Sequence, residues 1–389
     1  MKLTLPNHFS VYLDLIRVIA AAVVVLSHYP ISSWQADITN RFNIAYDAVI
    51  VFFVLSGYVI TYATAERESD PVSFISSRAA RILPTAIASV ILSLCLMLLG
   101  AWLRPDLYPE AFQLNSIPFH TAISFLFLGE IWWLHVTPFG NGPYWSLTFE
   151  VWCYVFFGIL YFCRGWYRAA SIFLLLIVAG PKLIILLPIW FAGSICYHFS
   201  GRRLARSSIL NLAFFAPAIA YLLIQLNLPR DWSYYYVGSQ LESLLGEGLE
   251  GAANFGWGYI LTILFSIHLY AAYHSPSILS PLNNKRVSHI IKLLASYTFS
   301  LYIFHYPLII FFRAIVGRSA DGYDLTSRVI VYTLTLVTVW LLAHLFEFRK
   351  NYYRRAFTGL LLKFRGLDLY LRARIRTKAK VGLHGKTPL

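Results

Sequence analysis

An all-α polytopic membrane protein of about ten transmembrane helices is the fold this sequence predicts. Three observations carry the prediction. The 389 residues are 58% hydrophobic and only 13% charged, a balance that no soluble domain of this length needs. Apolar runs long enough to cross a bilayer recur along most of the chain, and in lipid only helices and closed barrels satisfy their own backbone. The net charge is +14, with the cations gathered at the ends of apolar runs and in the final segment. Cations that flank apolar spans follow the positive-inside rule, which makes nucleic acid a poor partner for them.

In order, the spans are expected at about 10–30, 44–64, 83–103, 144–163, 167–181, 183–199, 208–228, 254–273, 290–315 and 326–347. The first carries Asp14 and Arg17 and no small-residue cleavage site, so it reads as a retained helix rather than a signal peptide. A further apolar stretch, 119–136, is rich in Trp and interrupted by Glu130 and His135. Loop charges decide its fate. Arg78, Arg81, Arg164, Arg168, Arg202, Arg203, Arg206, Lys285, Arg286 and the tail from Arg349 onward belong on the cytoplasmic side. The loops around 104–118, 229–250 and 316–325 then face outward. These sides alternate only if 119–136 does not cross, so it is expected to be re-entrant or interfacial. An eleventh crossing would put Arg164 and Arg168 on the wrong side. The hairpin of 167–181 and 183–199 is tight, because Pro181-Lys182 closes it. Both termini are expected in the cytoplasm. Residues 1–348 form one membrane domain, and 349–389 form a basic tail lying on the anionic leaflet.

Ionisable groups at membrane depth are costly and rare, so each is a functional candidate. Arg17 and His28 lie eleven positions apart in the first span, about 16 Å along a helix. The plain alternative is that Arg17 pairs with Asp14 and His28 is interfacial. Glu150 sits one to two turns inside its span and must be neutral, paired or facing a wet cavity. His305 shares a helix face with Tyr302 and precedes Pro307; a hydrogen-bonded core histidine beside a kink is the alternative. Arg78 and Arg81 share one face of a turn before the third span, where ordinary anchoring also explains them. Ser56-Gly57 permits close helix approach, and Tyr58 either points its hydroxyl at a site or sits at an interface. Gly142-Pro143 followed by Tyr144-Trp145 starts a helix with an aromatic anchor. Glu347 is expected to pair locally with Arg349. Cys95, Cys153, Cys163 and Cys196 form no CxxC pair, and no metal-binding or phosphate-loop motif is present. No metal is expected.

Five stretches together resemble the acyltransferase-3 family of integral membrane O-acyltransferases. A basic residue, ten residues and a histidine mark that family's first helix; here they are Arg17 and His28, with Leu13-Asp14 ahead of them. Phe52-Phe-Val-Leu-Ser-Gly-Tyr58 is similar to its second-helix signature, and Arg78-x-x-Arg81-Ile-x-Pro84 to its cytoplasmic loop. Trp145-Ser146-Leu-x-x-Glu150 and Ser300-Leu-Tyr302-x-x-His305-x-Pro307 resemble its mid-chain and late-helix motifs. The resemblance covers about 10–348. One departure is Ile50, where many members carry Asp two positions before the Phe-Phe pair; Asp47 lies three residues earlier. Some members are fused to an extracellular esterase-like domain. This chain ends in a basic tail, so its membrane domain is expected to serve the acceptor itself.

The resemblance implies transfer of an acetyl or other short acyl group. The donor would be cytoplasmic acyl-CoA, acting as a substrate and not a resident cofactor. The acceptor would be a hydroxyl of an envelope glycan or glycolipid at a bacterial inner membrane. Arg78 and Arg81 would meet the CoA phosphates and Arg17 would hold a phosphate or the pantetheine arm inside the bundle. His28 would act as general base, or take the acyl group first. Glu150 would orient the imidazole or face it as acid–base partner. Trp145, Ser146, Tyr58, Tyr302 and His305 would line the acceptor side. Two rivals use the same residues without chemistry: a transporter or flippase for an anionic lipid-linked sugar, and a scaffold whose charges pair internally.

Overall fold

The computed structural model describes residues 5–68, 70–105, 108, 114–228, 232–245, 248–317, 324–363 and 366. Among them every regular element is helical and none is a strand. The order is α1 (Asn7–His28), α2 (Ser33–Phe42), α3 (Ile44–Arg67), α4 (Pro71–Leu103), α5 (Ile117–Phe125), α6 (Tyr144–Phe162) and α7 (Gly165–Ala179). It continues with α8 (Pro181–Ser200), α9 (Ser207–Asn227), α10 (Ser239–Leu245), α11 (Phe255–His274), α12 (Lys285–Ala295), α13 (Thr298–Val316) and α14 (Leu325–Leu345). Among the described residues, nine helical segments are long and apolar enough to cross a membrane, and α7 is a shorter apolar helix of 15 residues. The fold is an all-α polytopic membrane bundle. A further helix occupies 350–363; the rest of the expected tail lies outside the described residues.

Contacts fix which ends lie together. Ser200 at the end of α8 meets Tyr58 toward the end of α3, and Lys292 of α12 meets Asn7 at the start of α1. Arg202 and Leu204, just past α8, bond to Tyr270 near the end of α11. This is the basic end. At the opposite end Gln225 of α9 reaches Phe42 and Asp47, and Tyr332 of α14 bonds to the Tyr29 carbonyl.

The tightest packing is between α3 and α8. A Cβ on Gly57 would sit 1.9 Å from the Trp190 carbonyl oxygen, and one on Gly193 1.9 Å from that of Val54. Small residues that let backbones meet are how membrane helices associate without a hydrophobic driving force. Thr61 adds a 2.8 Å bond to Ser194.

Two spans differ from the sequence expectation. The third begins at Pro71, where Asp70 caps it, so Arg78 and Arg81 lie within a helix rather than ahead of one. Its 33 residues cover about 50 Å, more than the hydrocarbon core, and the surplus turns carry the arginines at the basic end. The expected span 290–315 is broken at Ser296-Tyr297 into α12 and α13. Lys285, Arg286, His289 and Lys292 share the short helix α12 with exposed Val287, Ile290, Leu293 and Leu294. That composition suits an interfacial helix. His305 is therefore eight positions into its helix, not fifteen. Glu347 also differs: it accepts from the Ser300 amide at 3.0 Å and its hydroxyl at 2.7 Å, joining the chain after α14 to the first turn of α13.

Segment 119–136 does not cross. The nine residues of α5 are too short, and the chain after them is irregular, with left-handed backbone at Phe127 and Trp132. Such backbone survives at membrane depth only where protein satisfies it. Here the Trp132 amide bonds to the Ala179 carbonyl, its indole to that of Ile177, and Val136 to Gly129. The segment covers the end of the short helix α7, which at about 22 Å stops shy of a full crossing.

Candidate functional site

Two cavities meet inside the bundle. The first, about 60 Å³, is lined by Arg17, Ser56, Arg81, Ser146, Glu150, Phe299 and Tyr302 among others. The second, about 330 Å³, lies toward the opposite end and is lined by His28, Asn43, Glu130, His135, Trp145, Asn254 and Tyr302 among others. Val49 and Tyr302 border both. Tyr302 therefore stands in the partition, held by a 2.5 Å hydrogen bond to Ser146, which itself donates to the Pro143 carbonyl.

In the first cavity Arg17, Arg81 and Glu150 form no ion pair with one another. Arg17 does pair with Asp14, three residues earlier on its own helix, at 3.4 Å. Arg81 stacks 5.8 Å from the Phe299 ring and has no ion-pair partner among the described residues. Both guanidiniums feel the Glu150 charge, yet neither is within ion-pair distance of it. Glu150 instead accepts from Ser56 at 2.9 Å and from the Tyr154 hydroxyl. The lining thus carries two guanidiniums and one carboxylate with donors to spare, the complement of a phosphate or another anion.

The second cavity holds the imidazole. His28 closes α1 and makes no hydrogen bond to a described residue. Its ring meets Tyr306 edge-on at 4.9 Å and lies 5.3 Å from the ring of His305. His305 is fully buried, and its Nδ1 faces the carbonyls of Tyr302 at 2.8 Å and Leu301 at 3.1 Å. Pro307 shapes this turn. It has no amide to offer the Ile303 carbonyl, which is taken up by Asn141 at 3.0 Å and Ser89 at 3.3 Å.

Of the residues singled out in the sequence, the structure brings Arg17, Arg81, Ser146, Glu150 and Tyr302 to one cavity and His28, Trp145 and Tyr302 to the other. Five lie differently. Ser146 lines the Arg17 cavity and not the acceptor side, and His305 is fully buried and borders neither cavity. Glu150 lines the Arg17 cavity and not that of His28, so the neighbour of the His28 ring is His305. Arg78 is held by Glu68 through two bonds, 2.9 and 2.8 Å, and borders a groove between α4 and α6. Tyr58 is buried near the basic end, bonded to Ser200 and packed on Phe9 and Tyr197; it lines neither cavity.

Sequence reasoning passed over Glu130, His135 and Lys182. Lys182, at the start of α8, donates to Glu130 at 2.9 Å and to the Leu134 carbonyl at 2.6 Å. The other Glu130 oxygen lies 2.7 Å from His135 Nδ1, and that contact raises the His135 pKa against the opposing effect of burial. The membrane cost that singled out Arg17 and Glu150 applies equally to Lys182 and Glu130 and was the available signal.

The family model for an acyltransferase domain matches residues 10–345. The chain belongs to this acyltransferase family. It is an O-acyltransferase built as a helical membrane bundle, which sets aside the transporter and scaffold readings. An O-acetyl transferase of Shigella phage Sf6 is 25% identical over 352 residues, covering 87% of this chain and 94% of that one. The exopolysaccharide production protein ExoZ of Rhizobium meliloti is 32% identical over 151 residues, 36% of this chain and 43% of its own. No solved structure matches.

Proposed function

We propose that this acyltransferase moves an acetyl or other short acyl group from acyl-CoA, entering at the basic end, to a hydroxyl of an exported or envelope glycan in the opposite cavity. The observation that carries the reading is the pair of cavities sharing Tyr302 as a partition, one lined by arginines and the other by His28. By the positive-inside rule the basic end faces the cytoplasm, where acyl-CoA is made, in the inner membrane of a bacterium. Arg17 and Arg81 receive phosphate or the polar pantetheine arm. The thioester reaches the partition. His28 takes the proton from the acceptor hydroxyl as its oxygen attacks the carbonyl carbon. The C–S bond breaks, the proton passes from His28 to the thiolate sulfur, and the products are a sugar ester and free CoA thiol. Trp145, Asn43 and Asn254, which line the same cavity, offer a sugar ring an apolar face and polar groups. The names of the two relatives, an O-acetyl transferase and an exopolysaccharide protein, support this choice of group and acceptor.

The test measures CoA thiol release by purified protein in nanodiscs, with acetyl-CoA and an envelope-glycan fraction. Glycan-dependent release is expected, and Arg81→Ala is expected to raise the KM for acyl-CoA about thirtyfold, the loss of one charge-assisted bond. Release that ignores both glycan and Arg81 would refute the reading.

A further inference from the structure

We infer that His305 is the positioning residue for His28, accepting the His28 N–H on its bare Nε2. The inference rests on the reading of His28 as the base. Two carbonyl oxygens face His305 Nδ1. A carbonyl only accepts, so Nδ1 carries the proton and Nε2 is a lone-pair acceptor. That Nε2 is buried and has no hydrogen-bond partner. A buried acceptor left unmade is costly, and here it lies beside another imidazole at 5.3 Å between ring centres, tilted by 37°. Imidazoles joined end to end by an N–H···N bond of about 2.9 Å have centres only a little further than 5 Å apart. A turn of the His28 ring about its own side-chain bond completes the contact.

Neither carboxylate lining the two cavities is free to do this. Glu150 lies in the other cavity, bound to Ser56 and Tyr154. Glu130 is engaged by Lys182 and His135. The Tyr302 hydroxyl is bonded to Ser146, and Tyr306 meets the His28 ring edge-on. With His305 holding one N–H, the second His28 nitrogen is left unprotonated toward the cavity. There it takes the acceptor's proton, and the imidazolium that forms keeps its bond to the His305 lone pair until the proton leaves for the CoA thiolate. No net charge is left on either histidine at the end of the cycle. This is the role a carboxylate plays behind the histidine of other acyl-transfer sites, supplied here by a neutral ring at membrane depth.

The experiment uses His305→Gln and His305→Asn, each alone and combined with His28→Ala. A Gln side chain reaches the position of Nε2 and can offer its carbonyl oxygen there; Asn reaches only to Nδ1. His305→Gln is expected to keep kcat within about tenfold of wild type, while His305→Asn loses about a hundredfold with both KM values nearly unchanged. In the His28→Ala background neither change lowers the residual rate further. Equal losses in Gln and Asn, a loss confined to KM, or additive losses in the double variants would overturn the inference. Should His305→Asn not fold, ¹⁵N-histidine spectra of the wild type read the tautomer directly. Nδ1–H on His305, with an Nε2 resonance that moves in His28→Ala, is expected; Nε2–H or an unmoved resonance counts against it. A His28→Ala protein as active as wild type would instead remove the base assignment, and the inference with it.

Discussion

The two cavities treat charge in opposite ways. Around the first, Arg17, Arg81 and Glu150 are near one another but outside ion-pair distance; Arg17 keeps Asp14 at 3.4 Å, while Arg81 stacks on Phe299 and has no ion-pair partner among the described residues. Beside the second, Glu130 has Lys182 at 2.9 Å and His135 at 2.7 Å, and Lys182 is almost wholly buried. Both arrangements put ions where lipid makes them expensive. A charge paired inside the protein serves the scaffold, whereas one without an ion-pair partner is available to a ligand. Arg78 and Arg81 make the point on one turn of helix. They share a face and a motif, yet Arg78 is spent on Glu68 while Arg81 lines the cavity. Burial cost finds the ions, and pairing sorts them.

The largest expected effect is therefore on the paired side. Lys182→Met strands the Glu130 carboxylate with His135 alone and leaves the Leu134 carbonyl without its donor. Breaking a buried pair from one side costs about 3–5 kcal/mol, enough to deplete folded protein in detergent size-exclusion profiles. Replacing both partners, Lys182→Met with Glu130→Leu, should recover much of the loss, because an apolar pair of similar volume is often neutral. A Lys182→Met protein that elutes and melts as wild type would break the distinction between the two cavities.

Next comes Glu150→Gln, where the effect falls on donor binding and not on folding. The amide carbonyl still accepts from Ser56 and Tyr154, so the thermal transition should stay near that of wild type. The cavity gains one unit of positive charge, so the KM for acyl-CoA should fall about threefold, while kcat stays near that of wild type, because Glu150 lies apart from His28. A variant that fails to fold would move Glu150 to the scaffold and erase the contrast.

Much of this was legible in the sequence. Apolar run length located the crossing segments, because lipid leaves the backbone few choices, and charge alternation kept 119–136 from crossing. The same cost argument found Arg17, His28 and Glu150. What stayed hidden depends on chain length and partners. The α12–α13 break was invisible because both pieces are apolar enough to read as one span. The Arg78 and Arg81 turn looked like a loop because an Arg-rich start hides a helix that runs past the membrane. Pairings such as Glu130 with Lys182, 52 positions apart, or His28 with His305, have no local signature, since their geometry is set by the irregular segment after α5 and by the Pro307 turn.

The smallest effect concerns the one partly exposed member of the paired cluster. His135 is 42% exposed at its side chain and lies outside the spans. Its pKa is raised chiefly by the Glu130 bond, with burial opposing, Glu250 adding to it and Lys182 subtracting. A raised folded-state pKa means the contact stabilises fully below the unfolded value of about 6.5 and fades as pH climbs through the higher folded value. His135→Gln should therefore melt slightly below wild type at pH 6, and the gap should close as pH rises through the raised folded-state value. Solvent screening keeps the difference to about 1 kcal/mol or less. A gap that persists at high pH would mean that the neutral hydrogen bond, and not the charge, holds His135 to Glu130. In that case Lys182 alone balances the carboxylate, and the paired cavity rests on two ions instead of three.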